Sequence, residues 1–218
     1  MARAVHRLAA GGRSVLKDGY TDIAAGKVAA VVTHLEMLSR APTKPSPAPD
    51  NVSIRHVRQP DVDWYRDLYV RIGSDWLWTS RLEMASERLC AVIHDEKVDV
   101  LALEHDGLAV GLIELDFRVE KQCELAFFGL TPQMVGKGHG RHMMNHAISQ
   151  AWSRTISRFW VHTCTLDHPG ALAFYVRSGF TPFRRQIEVI DDPRLTGVLP
   201  MSAAPQVPII RPIVRSPS

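Results

Sequence analysis

What the sequence has little of narrows it first. It holds three cysteines in 218 residues, Cys90, Cys123 and Cys164. They are odd in number, far apart, and no two have CxxC spacing. That excludes a disulfide framework and a cysteine zinc site, and it fits a reducing compartment, here taken as cytoplasmic. No run comes near the ~20 apolar residues that a membrane span requires, so no membrane partner is expected. No segment repeats at a solenoid period. Charge is also not gathered into a patch. The net charge is +3, and its excess sits in residues 1–50, where Arg3, Arg7, Arg13, Lys17, Lys27, Arg40 and Lys44 stand against Asp18, Asp22, Glu36 and Asp50. The rest of the chain balances 19 basic with 19 acidic residues. The first seventeen residues carry no acid, but their four cations are too sparse for a nucleic-acid patch, so no nucleic-acid partner is expected. They also lack the long apolar core of a secretory signal.

What is present reads as a globular chain, with 45% hydrophobic and 22% charged residues. Residues 20–40 fit two patterns. Val28, Val31, Val32, Leu35 and Leu38 share a helical face, whereas Ala29, Val31, Thr33, Leu35 and Met37 share a strand face. The β-branched run favours a strand, and the pattern alone leaves the element open. Residues 41–50 hold four prolines in ten and read as an extended linker. A domain boundary is expected there, dividing an N-terminal extension (1–50) from a main domain (51–190). The Pro-rich stretch 191–218 reads as a tail that lies on the surface or is disordered.

Within the main domain, 51–57 forms a strand and Pro60–Asp61 opens a helix that runs to Ile72. A second helix starts either at Ser80, with Glu83 at capping-box spacing, or at Ser86. Asp106-Gly107 marks a tight hairpin between strands at 98–104 and 108–118. A third strand spans 123–130, a helix 138–152 and a strand 158–165. Pro169 and Gly179 bracket a short helix, and 180–190 closes the domain as a strand.

The stretch from Leu130 to Arg141 joins a strand to a helix through Gly136, Gly138 and Gly140. A glycine turn at a helix start leaves backbone N–H groups open at the positive end of the helix dipole, which suits an anion such as phosphate. A P-loop would need Gly-Lys-Ser/Thr, but here Lys137 precedes Gly138 and no hydroxyl follows. A dinucleotide turn would open a parallel βαβ unit, but these glycines follow an antiparallel meander. The third reading is a resemblance. Val135-Gly-Lys-Gly138-His-Gly140 resembles the Gln/Arg-x-x-Gly-x-Gly/Ala signature of the GNAT superfamily of acetyl-CoA-dependent N-acetyltransferases. Pro132 stands where that family often has a proline. His168-Pro-Gly-Ala171-Leu-Ala-Phe-Tyr175-Val-Arg-Ser-Gly179-Phe180 resembles its second signature, Asn-x-x-Ala-x-x-x-Tyr-x-x-x-Gly-Phe. One helix and one strand separate the two, as in the family. The resemblance covers residues 51–190, with two departures: Val135 replaces Gln/Arg, and His168 replaces Asn.

The resemblance implies an α/β GNAT fold, a mixed and mostly antiparallel sheet with helices on both faces. It implies direct transfer of an acetyl group from acetyl-CoA (coenzyme A) to a primary amine on a small molecule or a protein. Val135, Gly136, Gly138, His139, Gly140 and Arg141 would then hold the pyrophosphate, largely through backbone N–H groups. Leu130 and its strand neighbours would pair with the pantetheine amides, with a bulge expected near Gly129, and His168 would lie on the cofactor side. Tyr175 matches the family's general acid. Glu124, eleven positions ahead of Val135, matches the general base of one branch. A relayed water, Glu114 or Asp116 on the preceding strand, and His162 are the rival bases. Trp76 and Trp78, with Glu114, border the acceptor side. Cys164, Asp167 and His168 look like a nucleophile set, but the family forms no covalent enzyme intermediate, and no metal site is expected. A non-catalytic acyl-CoA-binding or sensing module, a longer acyl donor, and a homodimer stay open.

Overall fold

The computed structural model describes residues 15–46 and 51–213. The expectations for the first fourteen residues, for 47–50 of the linker and for the last five residues lie outside it. The element order is β1 (Lys27–Met37), β2 (Val52–His56), α1 (Val62–Gly73), a 3₁₀ turn (Ser74–Trp76), α2 (Ser86–Ile93), β3 (Val98–His105), β4 (Leu108–Asp116), β5 (Gln122–Leu130), a second 3₁₀ turn (Pro132–Met134), α3 (His139–Ala151), β6 (Arg158–Cys164), α4 (Ala171–Arg177) and β7 (Thr181–Asp191). The seven strands form one sheet in the order β2-β3-β4-β5-β6-β1-β7. All neighbours are antiparallel except β5 and β6. This is the α/β mixed sheet with helices on both faces.

Local chemistry explains the element ends. The Asp61 carboxylate caps α1 by accepting from the N–H groups of Asp63 and Trp64, both at 2.9 Å. Asp106 and Gly107 both take positive φ, the geometry of a tight primed turn between β3 and β4. The start of α2 is resolved in favour of Ser86. Each sheet face carries its own core. Met143, Met144, Ala147, Ile148 and Ala151 of α3 and Tyr175 of α4 bury one face. Tyr65, Leu68, Tyr69 and Ile72 of α1, with Leu89 and Ile93 of α2, bury the other. No described helix is long and apolar enough to cross a membrane.

Three sequence expectations need correction. First, residues 27–37 are a strand, and that strand lies inside the sheet, paired with β6 on one side and β7 on the other. The boundary expected at 41–50 therefore separates segments of chain but not units of packing. The alternating face decides the matter: Leu35 and Met37 complete the α3-side core. Second, the stretch after β7 is not a loose tail as far as it is described. Leu199, Ala203 and Ala204 pack against Val28 and Leu77. The buried Arg194 guanidinium donates to Asp192 (2.7 and 2.9 Å) and to the carbonyls of Ala204 (3.1 Å) and Val207 (2.8 Å). Asp192 is correspondingly held below the usual carboxylate range by those hydrogen bonds. Third, the bulge in β5 falls at Ala126: Glu114 pairs with Phe127 and Leu115 with Leu125, leaving Ala126 as the extra residue. Gly129 instead permits close packing, because a Cβ there would collide with the Ile72 side chain.

Candidate active site

The site begins where two strands part. β5 and β6 pair only from Gln122↔Arg158 to Glu124↔Trp160. Beyond Glu124 they diverge, while β5 stays paired with β4 as far as Leu130. A cleft of about 480 Å³ fills the gap and reaches residues on both faces of the sheet. One end is the glycine turn, and the other is aromatic.

At the turn end, Leu130, Val135, Gly136, Gly138, Gly140 and Arg141 all line the cleft. Gly136 (φ +84°) and Gly138 (φ +86°) are left-handed, and a Cβ on either would meet nothing within 4 Å. Their bareness therefore leaves space for a ligand and relieves no clash within the protein. Gly138 starts α3 with no side-chain cap, and the first turn carries no acid, so the N–H groups there are open toward the cleft. Arg141 donates to Ser178 Oγ (3.1 Å) with its guanidinium 5.3 Å from the Phe174 ring centre, and Arg177 adds a second cation to the lining. His139 is buried and turned toward His105, with ring centres 6.4 Å apart, and its side chain does not line the cleft.

At the aromatic end stand Ile72, Trp76, Trp78, Phe128 and Tyr175. The two tryptophans are aimed by the residue between them. Leu77 adopts φ +54°, rare for a branched side chain, and is held there by full burial against Leu199, Ala203 and Ala204. His168 lines the cleft and meets the Trp76 ring edge-on, with centres 5.4 Å apart. The His168 Nδ1 accepts from Gly170 N–H (3.0 Å), which supports the turn into α4. Tyr175 is 2% exposed and packs among Phe128, Phe174 and Phe180. Burial, with the nearby Asp167 charge, keeps its hydroxyl well above its ordinary pKa. Asp167 also lines the cleft. Its Oδ2 accepts from Thr163 Oγ1 (2.7 Å) and Cys164 N–H (2.8 Å), and burial raises its pKa.

The two glutamates do not line the cleft. Glu124 sits at the point of divergence, its Oε1 buried with no hydrogen-bond partner and 3.9 Å from His162 Nδ1. Burial, then the Asp116 and Glu114 charges, push its carboxyl up to about 8. Glu114 stands on β4, beside β5. It is fully buried, with its two oxygens taken by the Tyr65 hydroxyl and the Arg81 guanidinium. Asp116 is paired with Arg118. Arg81, the partner of Glu114, was not singled out from the sequence. Ile72, Phe128, Phe174 and Arg177 were also missed as lining residues.

Comparisons with known proteins place this geometry. The profile of the Acetyltransferase (GNAT) family matches residues 62–180. A GCN5-related N-acetyltransferase from Sphaerobacter thermophilus superposes with TM-score 0.59 at 13% identity, covering 74% of this chain and 51% of its own. A GCN5-related N-acetyltransferase from Kribbella flavida does so with TM-score 0.51 at 15% identity, covering 79% of this chain and 63% of its own. The chain thus spans half to two thirds of these neighbours, and at such identity the likeness is one of fold. A search of curated protein sequences gives no significant match.

Proposed function

The chain belongs to the GNAT acetyltransferase family, and on that premise we propose that it is an acyltransferase that carries an acetyl group from acetyl-CoA to a primary amine. One observation carries this reading. A single cleft joins an uncapped, Cβ-free helix start to a buried tyrosine within an aromatic pocket. The turn fits a pyrophosphate on its own chemistry, since it offers open N–H groups, two arginines in the lining and no acid in the first helical turn. Val135 in place of Gln/Arg leaves that backbone donor set intact.

When bound, acetyl-CoA supplies the thioester whose C–S bond breaks as the C–N bond to the amine forms. The residues of this chain do the rest. The Gly136–Gly140 turn fixes the phosphates. The edge of β5 near Leu130, released by the divergence from β6, offers backbone N–H and C=O groups to an extended arm. Tyr175, kept protonated by burial, gives its proton to the departing sulfur and recovers one from the amine nitrogen. Glu124, with its pKa near neutrality, accepts the ammonium's other proton and passes it to solvent. Because Glu124 stands outside the cleft lining, that transfer runs through a water. The proton count closes: of the two protons the ammonium loses, one ends on sulfur and one in solvent.

The test is a panel of primary amines with acetyl-CoA, followed by free-thiol release. Full turnover in both Glu124→Gln and Tyr175→Phe would remove these assignments. Failure of coenzyme A to bind would remove the reading itself, and binding without turnover of any amine would favour a non-catalytic acyl-CoA module.

A further inference from the structure

The aromatic end of the cleft is held from behind by the segment that follows β7. Leu199, Ala203 and Ala204 form a small core with Leu77 and Val28, and Leu166 packs against it. Leu77 stands between Trp76 and Trp78, and Leu166 stands directly before Asp167 and His168. One packed cluster therefore backs both lips of the aromatic end, the 3₁₀ turn and the loop into α4. We propose that residues 192–207 form a brace that sets the geometry of the amine's end of the cleft, and that Arg194 is the positioning residue that locks it. This rests on the acetyl-transfer reading above.

The brace is anchored at one end and presses at the other. At the anchor, Asp192 N–H donates to the Gly26 carbonyl at the start of β1 (2.8 Å). The Asp192 carboxylate accepts from Arg194 Nε and Nη2 at 2.9 and 2.7 Å. Arg194 Nη1 reaches forward to the carbonyls of Ala204 (3.1 Å) and Val207 (2.8 Å). Both side chains are buried, so these bonds form away from water and fix where the segment returns. Only a planar fork can serve the carboxylate and the carbonyls at once, and a lysine cannot. At the pressing end, Gln206 Nε2 donates to the Asp75 carbonyl of the 3₁₀ turn (2.7 Å). Leu77 (φ +54°) and Ala204 (φ +47°) both hold left-handed backbone within the same cluster. Such conformations persist only where the surroundings enforce them. No residue of the brace lines the cleft, so its influence passes through Leu77 and Leu166 to the lips. The glycine turn that fits the phosphates stands outside this cluster.

The experiment uses the full chain, held well below the melting temperature of each variant. Thiol release at saturating acetyl-CoA gives kcat and KM for spermidine, glucosamine, 2-phenylethylamine and a peptide beginning with alanine. Calorimetry gives coenzyme A affinity alongside. Arg194→Lys keeps the charge and loses the fork. It should raise the KM of each amine that wild type accepts about tenfold, with a smaller change in kcat and coenzyme A affinity within about twofold. Gln206→Ala removes one exposed hydrogen bond, so it folds even if Arg194→Lys does not, and it should raise the same KM about threefold. A 5-fluorotryptophan label reads the lips directly. The Trp76 and Trp78 resonances, assigned by replacing each with Phe, should shift or split in both variants, while those of Trp64, Trp152 and Trp160 stay in place. An unchanged amine KM in the folded variants, unmoved Trp76 and Trp78 resonances, or a coenzyme A affinity that falls as far as the KM rises overturns the proposal and leaves acetyl transfer standing. Wild-type chain that fails to bind coenzyme A, or binds it and turns over none of the four amines, overturns the acetyl-transfer reading and this proposal with it.

Discussion

Replacing Glu124 with Gln separates two things that burial does to this carboxyl. In the folded chain its pKa is pushed up to about 8 from 4.5, chiefly by burial and then by Asp116 and Glu114. Unfolded, the group returns to its ordinary range. Between those values the folded state keeps a proton that the unfolded state has released. Stability therefore falls as pH rises through that window and levels off above it. At ~1.4 kcal/mol per unit, the full fall is bounded at about 5 kcal/mol. The side chain stays 16% exposed, so water relieves part of this, and about 2–4 kcal/mol is the working figure. Gln matches the shape and never ionises. Denaturation of both proteins at pH 6 and pH 9 reads the difference. Only the part of the window above pH 6 is read, so the variant should gain about 1–3 kcal/mol over wild type on going to pH 9, or roughly 2–12 °C in Tm. The same substitution should lower turnover by about 10²–10⁴ if Glu124 is the base. It should also abolish a wild-type rise in rate that approaches its plateau above pH 8. A variant with no stability advantage at pH 9 would refute the burial argument, whatever happens to the rate.

Other substitutions probe other parts of the molecule. Gly136→Ala should cost only about 1–2 kcal/mol of folding stability, the strain of a left-handed alanine, because its Cβ enters open space; coenzyme A affinity by calorimetry should fall about tenfold or more as that Cβ fills the phosphate cradle. Tyr175→Phe removes a proton donor without changing the ring packing. It should lower kcat by about 10²-fold with little change in Tm. Arg81→Met strands the buried Glu114 carboxylate and should cost about 3–5 kcal/mol in urea denaturation, most of it recovered when Glu114→Gln is added. Gly129→Ala drives a methyl into Ile72 and should destabilise by about 1–3 kcal/mol, a purely steric effect visible in Tm.

The strands, helices and turn from 51 to 191 were legible because their signals are local. Asp106-Gly107 and Asp61 each act within a few residues. The glycine turn was legible for the same reason, as an uncapped helix start announces itself in sequence. What was not legible depends on contacts far apart in the chain. Residues 27–37 carry two periodicities, and only pairing with β6 and β7 decides between them. The stretch after β7 looks aperiodic because its structure is held by one arginine reaching carbonyls and not by a regular ladder. Glu114 shares its strand face with Asp116, but Arg81 and Tyr65 arrive from other elements and remove it from the site. Asp167 looked like part of a nucleophile set because its chemistry was read without its position in the cleft.

The place of β1 in the sheet has a consequence for how the chain reaches its fold. Among the described residues β7 has β1 as its only strand neighbour, and β1 lies between it and β6. The ladder joins residues as far apart as Lys27 and Asp191, a sequence separation of 164. During synthesis β1 emerges before every other strand of this sheet, and its partners β6 and β7 are the last two. Its apolar face waits while β2–β5 and their helices are made. Such distant closure slows folding and prolongs exposure of an unpaired strand. The β2–β5 meander can form early from near neighbours, whereas the other side of the sheet is completed only when β1, β6 and β7 are all in hand.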